Sequence, residues 1–482
     1  MMSSPASELE RPDDSPPLCV DLDGTLLRTD LLLESTLALV RSRPLRALAV
    51  LGRLIRGRAA LKAAIADCVD LDASTLPYDE SVLLYVRQER AKGRHTVLVT
   101  ASTARFAQAV ADYLGCFDEV MASNGTTNLK GVVKAEALAR RFGERGFTYI
   151  GDSMADVPVW LRAATGLIAG ASARTERAAR AVTTVENVLG EAPRRLGAAL
   201  SAMRPHQWLK NLLVFVPLLA GHRWTSPVLL AATVSFCAFC LVASASYLLN
   251  DLLDLPADRS HPSKRHRPLA SGALPLATAA WLMPALAVVG FGIALPIGGA
   301  FVVCLAAYFA VTVAYSLDLK RRPVVDVMTL AVLYTLRVIA GGVATGIELS
   351  FWLLAFSMFL FLSLALVKRT TEVQLASVTG HDLSRRGYAT SDAEPLRSMG
   401  IASGYLAVLV IALYINSDDV TKLYGHPEAL WLLCPGALYW INRVWLKTSR
   451  GEMHDDPLVF TVKDRPSLIV GMFSLLIGFV AI

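Results

Sequence analysis

Charge is scarce in this chain. Only 18% of its 482 residues are Asp, Glu, Lys or Arg, against 54% hydrophobic, which is too apolar for a soluble enzyme throughout. Its seven cysteines (Cys19, Cys68, Cys116, Cys237, Cys240, Cys304 and Cys434) show no disulfide framework. Cys237 and Cys240 have CxxC spacing but lie mid-way along an apolar helix, where a thiol packs as a small hydrophobe. The first 17 residues are polar and proline-rich, without the apolar core of a signal peptide. They read as disordered, and the residues up to about 200 read as cytoplasmic. The formal charge of +6 lies mostly in loops between apolar runs, which points to membrane orientation and away from nucleic acid.

What is present is unevenly spread. Short apolar strands at Leu18–Asp21, Thr96–Thr100, Phe147–Ile150 and Gly166–Ala169 alternate with helical stretches, as in a parallel sheet wrapped by helices. This gives an α/β domain over 18–185, with a helical insert at about 28–92 carrying Arg41, Arg43, Arg46, Arg53, Arg56 and Arg58. A linker follows at 186–205, and 206–482 reads as an all-α polytopic membrane bundle. Apolar runs at 208–221, 227–249, 276–296, 298–317, 324–344, 350–367, 398–416, 428–446 and 466–482 predict about nine spanning helices, the first being short. Basic residues cluster at Arg259 to Arg267, Lys320 to Arg322, Lys368 to Arg386 and Arg443 to Arg465. The opposite loops carry little charge, mainly Asp418, Asp419 and Lys422. The positive-inside rule places the basic loops and the N-terminal domain in the cytoplasm, and the C-terminus outside.

Two constellations carry chemistry. The first is Asp21-Leu-Asp23-Gly24-Thr25 at the end of the first strand, with Thr100 ending a second, Lys134 after a glycine-containing loop, and Gly151-Asp152-Ser153-Met-Ala-Asp156 closing another. Each acidic pair alone is more often a helix or turn cap than a catalytic pair. Together, in this order, they resemble the haloacid dehalogenase (HAD) superfamily, whose helical insert caps the site. The resemblance implies Asp21 as the nucleophile toward a phosphate monoester and Asp23 as the acid and base. Thr100 and Lys134 would hold the phosphoryl group, with Ser102 a rival to Thr100. Magnesium would sit among Asp21, Asp23, Asp152 and Asp156. A carboxylate nucleophile divides a very slow hydrolysis into two easier steps.

The second is Asn250-Asp251-Leu-Leu-Asp254-Leu-Pro-Ala-Asp258, at the end of a long apolar run and followed by Arg259, Lys264, Arg265 and Arg267. Helical spacing sets Asn250, Asp254 and Asp258 along one stripe with Asp251 beside them. Acidic clusters at a membrane helix end are costly unless a cation neutralises them, and all-oxygen ligands suit magnesium bridged to phosphate. The stretch resembles the UbiA-type prenyltransferase superfamily, helical bundles in which an Asn/Asp-rich motif holds a diphosphate through magnesium.

Within that superfamily, Arg204-Pro-His-Gln-Trp-Leu-Lys210-Asn211, Tyr315-Ser-Leu-Asp318-Leu-Lys320, Arg337-Val-Ile-Ala-Gly-Gly342, Lys368-Arg369, Arg386-Gly-Tyr388 and His454-Asp455-Asp456-Pro-Leu-Val-Phe460 look like decaprenyl-phosphate phosphoribosyltransferase. The resemblance implies transfer of 5-phosphoribose from phosphoribosyl pyrophosphate to a polyprenyl phosphate, feeding arabinose donors for cell-wall arabinan or related glycans. Asn250, Asp251, Asp254 and Asp258 would hold magnesium and the leaving pyrophosphate. Lys264 and Arg267 would bind donor phosphates, Lys210, Lys320, Lys368 and Arg369 the lipid phosphate, and Tyr315 a phosphate oxygen. Cations at helix ends also commonly anchor to lipid headgroups. The second DxxxD motif of aromatic prenyltransferases is missing: Asp318 and Asp326 are eight apart, with Lys320, Arg321 and Arg322 between them. A phosphatase fused to such a transferase would remove the 5-phosphate from its product. The alternatives are an aromatic or quinone prenyltransferase with an independent phosphatase, and a HAD domain serving only as a binding module. The partners implied are the two substrates and the bilayer; a homo-oligomer is left open.

Overall fold

The computed structural model describes residues 15–52, 58–124, 127–190, 195–379, 386–417, 420, 423–453 and 456–482. The expected disordered residues 1–14, and the predicted positions Arg53, Arg56, Asp418, Asp419, Lys422, His454 and Asp455, lie outside them. The chain divides into two compact units. One comprises Met1–Ala202 with Asp251–Trp281, the other Met203–Asn250 with Leu282–Ile482.

The first unit is built on a six-stranded, all-parallel sheet in the order β3-β2-β1-β4-β5-β6. The strands are β1 (Leu18–Asp21), β2 (Thr96–Thr103), β3 (Glu119–Ser123), β4 (Thr148–Gly151), β5 (Thr165–Ala169) and β6 (Thr184–Leu189). Strand alternation divides the core between two faces. Leu18, Val20, Leu98, Ile150 and Leu167 pack on one, and Cys19, Val97, Val99, Tyr149 and Ile168 on the other. The central strands are therefore apolar throughout and legible as strands. The edge strands β3 and β6 were not expected, because each is buried mainly at its last residue and carries no continuous apolar run. The sheet also runs on to Leu189, four residues beyond the boundary expected at 185.

The insert between β1 and β2 is helical, as expected, and comprises α1 (Leu31–Ser42), α2 (Pro44–Leu51), α3 (Arg58–Ala66) and α4 (Glu80–Ala91). These helices fall within the predicted 28–92. Leu39, Ala47, Leu61 and Ile65 form a separate cluster among α1 to α3, whereas Val82 and Val86 of α4 join the sheet core. The helix following β2 is α5 (Ala104–Leu114), and that preceding β4 is α6 (Val132–Phe142). Arg41, Arg43 and Arg46 are exposed on the cap.

The segment Asp251–Trp281 belongs to this same unit. Arg259 forms an ion pair with Glu34 of α1, 225 residues away in sequence, and donates to the Ala270 carbonyl. The side chains of Arg259 and Glu34 are only 6% and 5% exposed, so neither charge has water to fall back on. Thr29 Oγ1 donates to the same carboxylate at 2.7 Å.

The second unit is a helical bundle. Among the described residues six helices are long and apolar enough to cross a membrane: Ser226–Leu253, Leu276–Ile297, Gly299–Leu317, Val325–Thr345, Phe351–Val378 and Thr390–Ile415. The bent pair Pro457–Lys463 and Arg465–Ala481, at 84°, would make a seventh. This corrects the count of nine. The run at 208–221 forms a 3-10 segment, Pro205–Phe215, and a five-residue helix, Val216–Ala220. The run at 428–446 begins as a 3-10 turn, leaving a 17-residue α-helix, Leu433–Ser449. Tight packing within the bundle depends on missing side chains: a Cβ on Gly341 would collide with the Val214 carbonyl.

Replacing Glu34 by Ala strands the Arg259 charge in a dry site and should cost about 3–5 kcal/mol. The expected result is a clear drop in the apparent Tm of the detergent-solubilised protein, partly recovered in the swapped Glu34→Arg/Arg259→Glu double variant. Equal Tm values for wild type and Glu34→Ala would show that the pair contributes nothing.

Candidate functional site

The sheet order places β1 beside β4, where the chain reverses its direction of winding, and ligand crevices open at such points beyond the carboxyl ends of the strands. Asp21 ends β1 and Asp152 follows β4 directly. Gly24 makes their approach feasible. Its φ is +85°, and a Cβ there would lie 2.6 Å from Asp152 Oδ2. Thr25 Oγ1 donates to Asp152 Oδ1 at 3.2 Å.

Four carboxylates and one ammonium converge here. Oxygens of Asp21, Asp152 and Asp156 lie within 4.8 Å of one another, so this triad could hold a metal ion. Lys134 Nζ donates to Asp21 Oδ1 at 2.7 Å and to Tyr149 Oη at 3.0 Å. Tyr149 in turn donates to Asp156 Oδ1 at 2.8 Å. Asp156 also accepts from the backbone and hydroxyl of Ser153, so its capping role and its place in the acidic cluster coexist. Asp23 stands slightly apart: Leu31 N donates to Oδ1, and Ser102 Oγ donates to Oδ2 at 2.6 Å. Thr100 Oγ1 is 3.4 Å from the same oxygen and accepts from Ser102 N. Both rival hydroxyls thus face Asp23, with Ser102 the nearer.

Tyr149 was not foreseen. It occupies an ordinary buried position in β4, and nothing in its spacing marks it.

Burial, then repulsion from Asp156 and Asp21, pushes the Asp152 carboxyl up to about 7. Burial likewise raises Asp21 to about 7 despite the attraction of Lys134. Asp23 is raised by burial and by Asp30. Burial would lower Lys134, but Asp21 and Asp156 beside it more than reverse this and keep its ammonium favoured. Hard oxygen donors carrying unrelieved like charge are the donor set that a divalent cation such as magnesium fits.

The second constellation begins on the helix Ser226–Leu253. The helix ends before Asp254 and a short helix, Leu255–Ser260, starts there with Pro256 in its first turn, Asp258 N donating to the Asp254 carbonyl at 2.9 Å. In the first unit Asp251 and Asp258 are the residues drawn together. Arg267 Nη1 reaches Asp258 Oδ2 at 2.6 Å and Asp251 Oδ1 at 3.3 Å. Burial raises Asp258, partly offset by Arg267. Asp254 is half-buried at the junction, and Lys264 lies in the following 3-10 turn.

In the second unit Lys320 Nζ donates to Asn250 Oδ1 at 3.2 Å. Lys210 and Lys368 share Asp456, at 2.6 and 3.7 Å. Arg369 is 1% exposed and ion-paired to Asp326 and Glu372, so its guanidinium is engaged within the bundle. Tyr315 accepts a hydrogen bond from Arg386. Arg337 is buried, donating to Asn211 Oδ1 at 2.8 Å and Tyr308 Oη at 2.9 Å.

The profile of the UbiA prenyltransferase family matches residues 212–457, just over half of the chain. The chain belongs to this family. A haloacid dehalogenase-like hydrolase profile matches residues 18–160, the domain that holds the first constellation. An uncharacterised protein of Sinorhizobium fredii, y4nM, is 37% identical over 94% of this chain and 89% of its own length. The nodulation protein NoeC of Azorhizobium caulinodans is 38% identical over 56% of this chain and 88% of its own. The decaprenyl-phosphate phosphoribosyltransferase of Mycolicibacterium smegmatis is 38% identical over 47% of this chain and 73% of its own. The chain is therefore a multi-pass UbiA-family transferase with a HAD hydrolase domain, related to the phosphoribosyltransferases.

Two outcomes follow from the hydrolase geometry. Protons compete with magnesium for carboxyls that titrate near 7, so the magnesium-binding step that Asp152→Asn removes should tighten as pH rises through about 7. The sign is that of raised acids. The metal-free protein loses stability as pH climbs from the ordinary carboxyl value of 3.8 through about 7, and bound cation restores it. Calorimetric affinity that is flat across that range would exclude these carboxyls as the ligands. Gly24→Ala should weaken the same step at least about tenfold through clash and strained φ.

Proposed function

We propose that this protein transfers 5-phosphoribose from phosphoribosyl pyrophosphate to a polyprenyl phosphate, and that its HAD domain then removes the 5-phosphate to leave polyprenyl-phosphoryl ribose. The observation carrying the transferase half is the likeness to decaprenyl-phosphate phosphoribosyltransferase along most of that protein's length. Support also comes from the missing second acidic motif. Asp326 is fully buried against Arg369 and Tyr388, so it offers no second diphosphate site of the aromatic-prenyltransferase kind.

The lipid phosphate is already an anion and needs no general base. One of its oxygens bonds to the anomeric carbon as the bond from that carbon to pyrophosphate breaks. Bound magnesium would supply charge neutralisation at phosphate oxygens in both sites. Its ligands would be Asn250, Asp251, Asp254 and Asp258 in the transferase, and Asp21, Asp152 and Asp156 in the hydrolase. Arg267, already seated on Asp251 and Asp258, would turn to the departing pyrophosphate, with Lys264 assisting. Carboxylates nearby stabilise the positive charge that develops on the ribose ring. Lys210, Lys320 and Lys368 would bind the lipid phosphate and Tyr315 a phosphate oxygen. Arg369 would act through Asp326, as its buried pairing requires.

In the hydrolase, Asp21 attacks phosphorus while Asp23 gives its proton to the leaving ribose oxygen. Asp23 then takes a proton from the water that clears the aspartyl phosphate. A carboxyl raised by burial is suited to carrying that proton. Lys134 and Thr100, with Ser102, orient the phosphoryl oxygens. The basic loops of the membrane bundle support the reading that the protein lies in the cytoplasmic membrane with both sites on the inner face.

Two variants separate the halves. Asp258→Ala should lower lipid ribosylation by at least about 100-fold while leaving aryl phosphate hydrolysis within about twofold, since it touches only the transferase cluster. Asp21→Asn should do the reverse and leave phosphoribosyl lipid as the end product. Unchanged lipid transfer in Asp258→Ala, or unchanged hydrolysis in Asp21→Asn, would overturn the corresponding half.

A further inference from the structure

Beside the hydrolase carboxylates lies a cavity of about 200 Å³ between the cap and the sheet. Its walls include Lys62 of α3, Thr103 and Arg105 at the start of α5, and Asn124 and Asn128 beyond β3. It adjoins the reacting centre. Thr103 is next in sequence to Ser102, which hydrogen-bonds Asp23 at 2.6 Å. Lys62 Nζ donates to the carbonyl of Ala101 at 2.6 Å, one residue from Thr100.

The lining carries polar capacity that the protein leaves unused. Thr103 Oγ1 and Asn128 Oδ1 are both buried and have no hydrogen-bond partner. Thr103 is the residue that should cap α5, yet its hydroxyl makes no capping bond. Buried polar atoms are ordinarily satisfied, and two orphans lining one cavity are what a ligand with hydroxyl groups would complete. Lys62 and Arg105 share that wall with Asp67, and Arg105 is ion-paired to Asp70, so charged donors and acceptors both stand where sugar hydroxyls, which donate and accept, would lie. A polyprenyl tail would leave both orphans unsatisfied, whereas a furanose ring fits the volume, the apolar alanines of the wall and the free oxygens together.

We infer that this cavity is the leaving-group site of the hydrolase, and that it selects phosphate monoesters of a small polyhydroxylated ring through Thr103 and Asn128. The inference rests on the phosphatase reading of Asp21 and deepens it by naming the substrate class. During hydrolysis the phosphorus–oxygen ester bond breaks as Asp21 bonds to phosphorus, the exocyclic ester oxygen of the sugar takes the Asp23 proton to become a hydroxyl, and the sugar stays in this cavity until release.

The test compares ribose 5-phosphate with 4-nitrophenyl phosphate on the full-length protein, as the ratio of their kcat/KM values. Thr103→Val, which keeps shape and removes the hydroxyl, should lower that ratio about tenfold, mainly through KM for the sugar phosphate. Asn128→Leu should act in the same direction, and Thr103→Ser should restore the ratio. A ratio unchanged in both Thr103→Val and Asn128→Leu, with aryl phosphate still turned over, would overturn the inference and leave the phosphatase reading standing. Absence of aryl phosphate turnover in wild type, or its persistence in Asp21→Asn, would overturn that reading and this inference with it.

Discussion

Carboxylates repel one another, and both candidate sites of this protein depend on holding them together with a single cation. Lys134 lies 2.7 Å from Asp21 and 3.9 Å from Asp156, deep enough that water screens neither contact. Arg267 does the same for Asp258 and Asp251, from a partly exposed position. In each case one positive charge serves two negative ones, and the remaining imbalance is what a divalent cation would relieve. Lysine at the first site gives a point charge. Arginine at the second presents a fork that can move from carboxylates to a diphosphate.

The membrane bundle solves the opposite problem, that of placing charge where lipid offers no solvation. Among the described residues its buried ionised side chains gather opposite charge or polar groups around them. Arg369 is set against Asp326 and Glu372, Lys210 and Lys368 against Asp456, and Arg337 against Asn211, Tyr308 and the Leu333 carbonyl. Such groups are costly to leave incomplete, so their loss should be felt as misfolding as readily as lost activity. The three differ in balance. Arg369 and Arg386 face Asp326 and Glu372, two charges against two, while among the described residues Lys210 and Lys368 share the one carboxylate of Asp456.

Legibility in the sequence followed physical cause. The central strands and the acidic motifs were readable because fully buried strands must be apolar, and because carboxylate chemistry needs fixed spacing. The edge strands β3 and β6 were not, since half-exposed strands carry mixed residues. Spanning helices of ordinary length were found, but hydropathy alone could not show that Pro205–Phe215 and Pro427–Leu432 wind as 3-10 turns. Pro256 was visible, yet the joining of Asp251 with Asp258 through Arg267 required coordinates. Arg369 and Tyr149 illustrate the deeper limit. A basic residue after a membrane run reads as a phosphate ligand, and a tyrosine in a strand reads as core; only their partners distinguish structure from chemistry.

The central claim is that one chain both attaches a phosphoribosyl group and trims it. The direct measurement supplies wild-type protein, magnesium and a polyprenyl phosphate with phosphoribosyl pyrophosphate labelled separately in the ribose carbons and the 5-phosphate. The account predicts that the lipid fraction acquires both labels in equal proportion at the earliest times. The phosphate label then passes to inorganic phosphate while the ribose label stays in lipid. A lipid fraction that never acquires the ribose label would contradict the transferase assignment, and one that retains both labels indefinitely would contradict the coupled phosphatase.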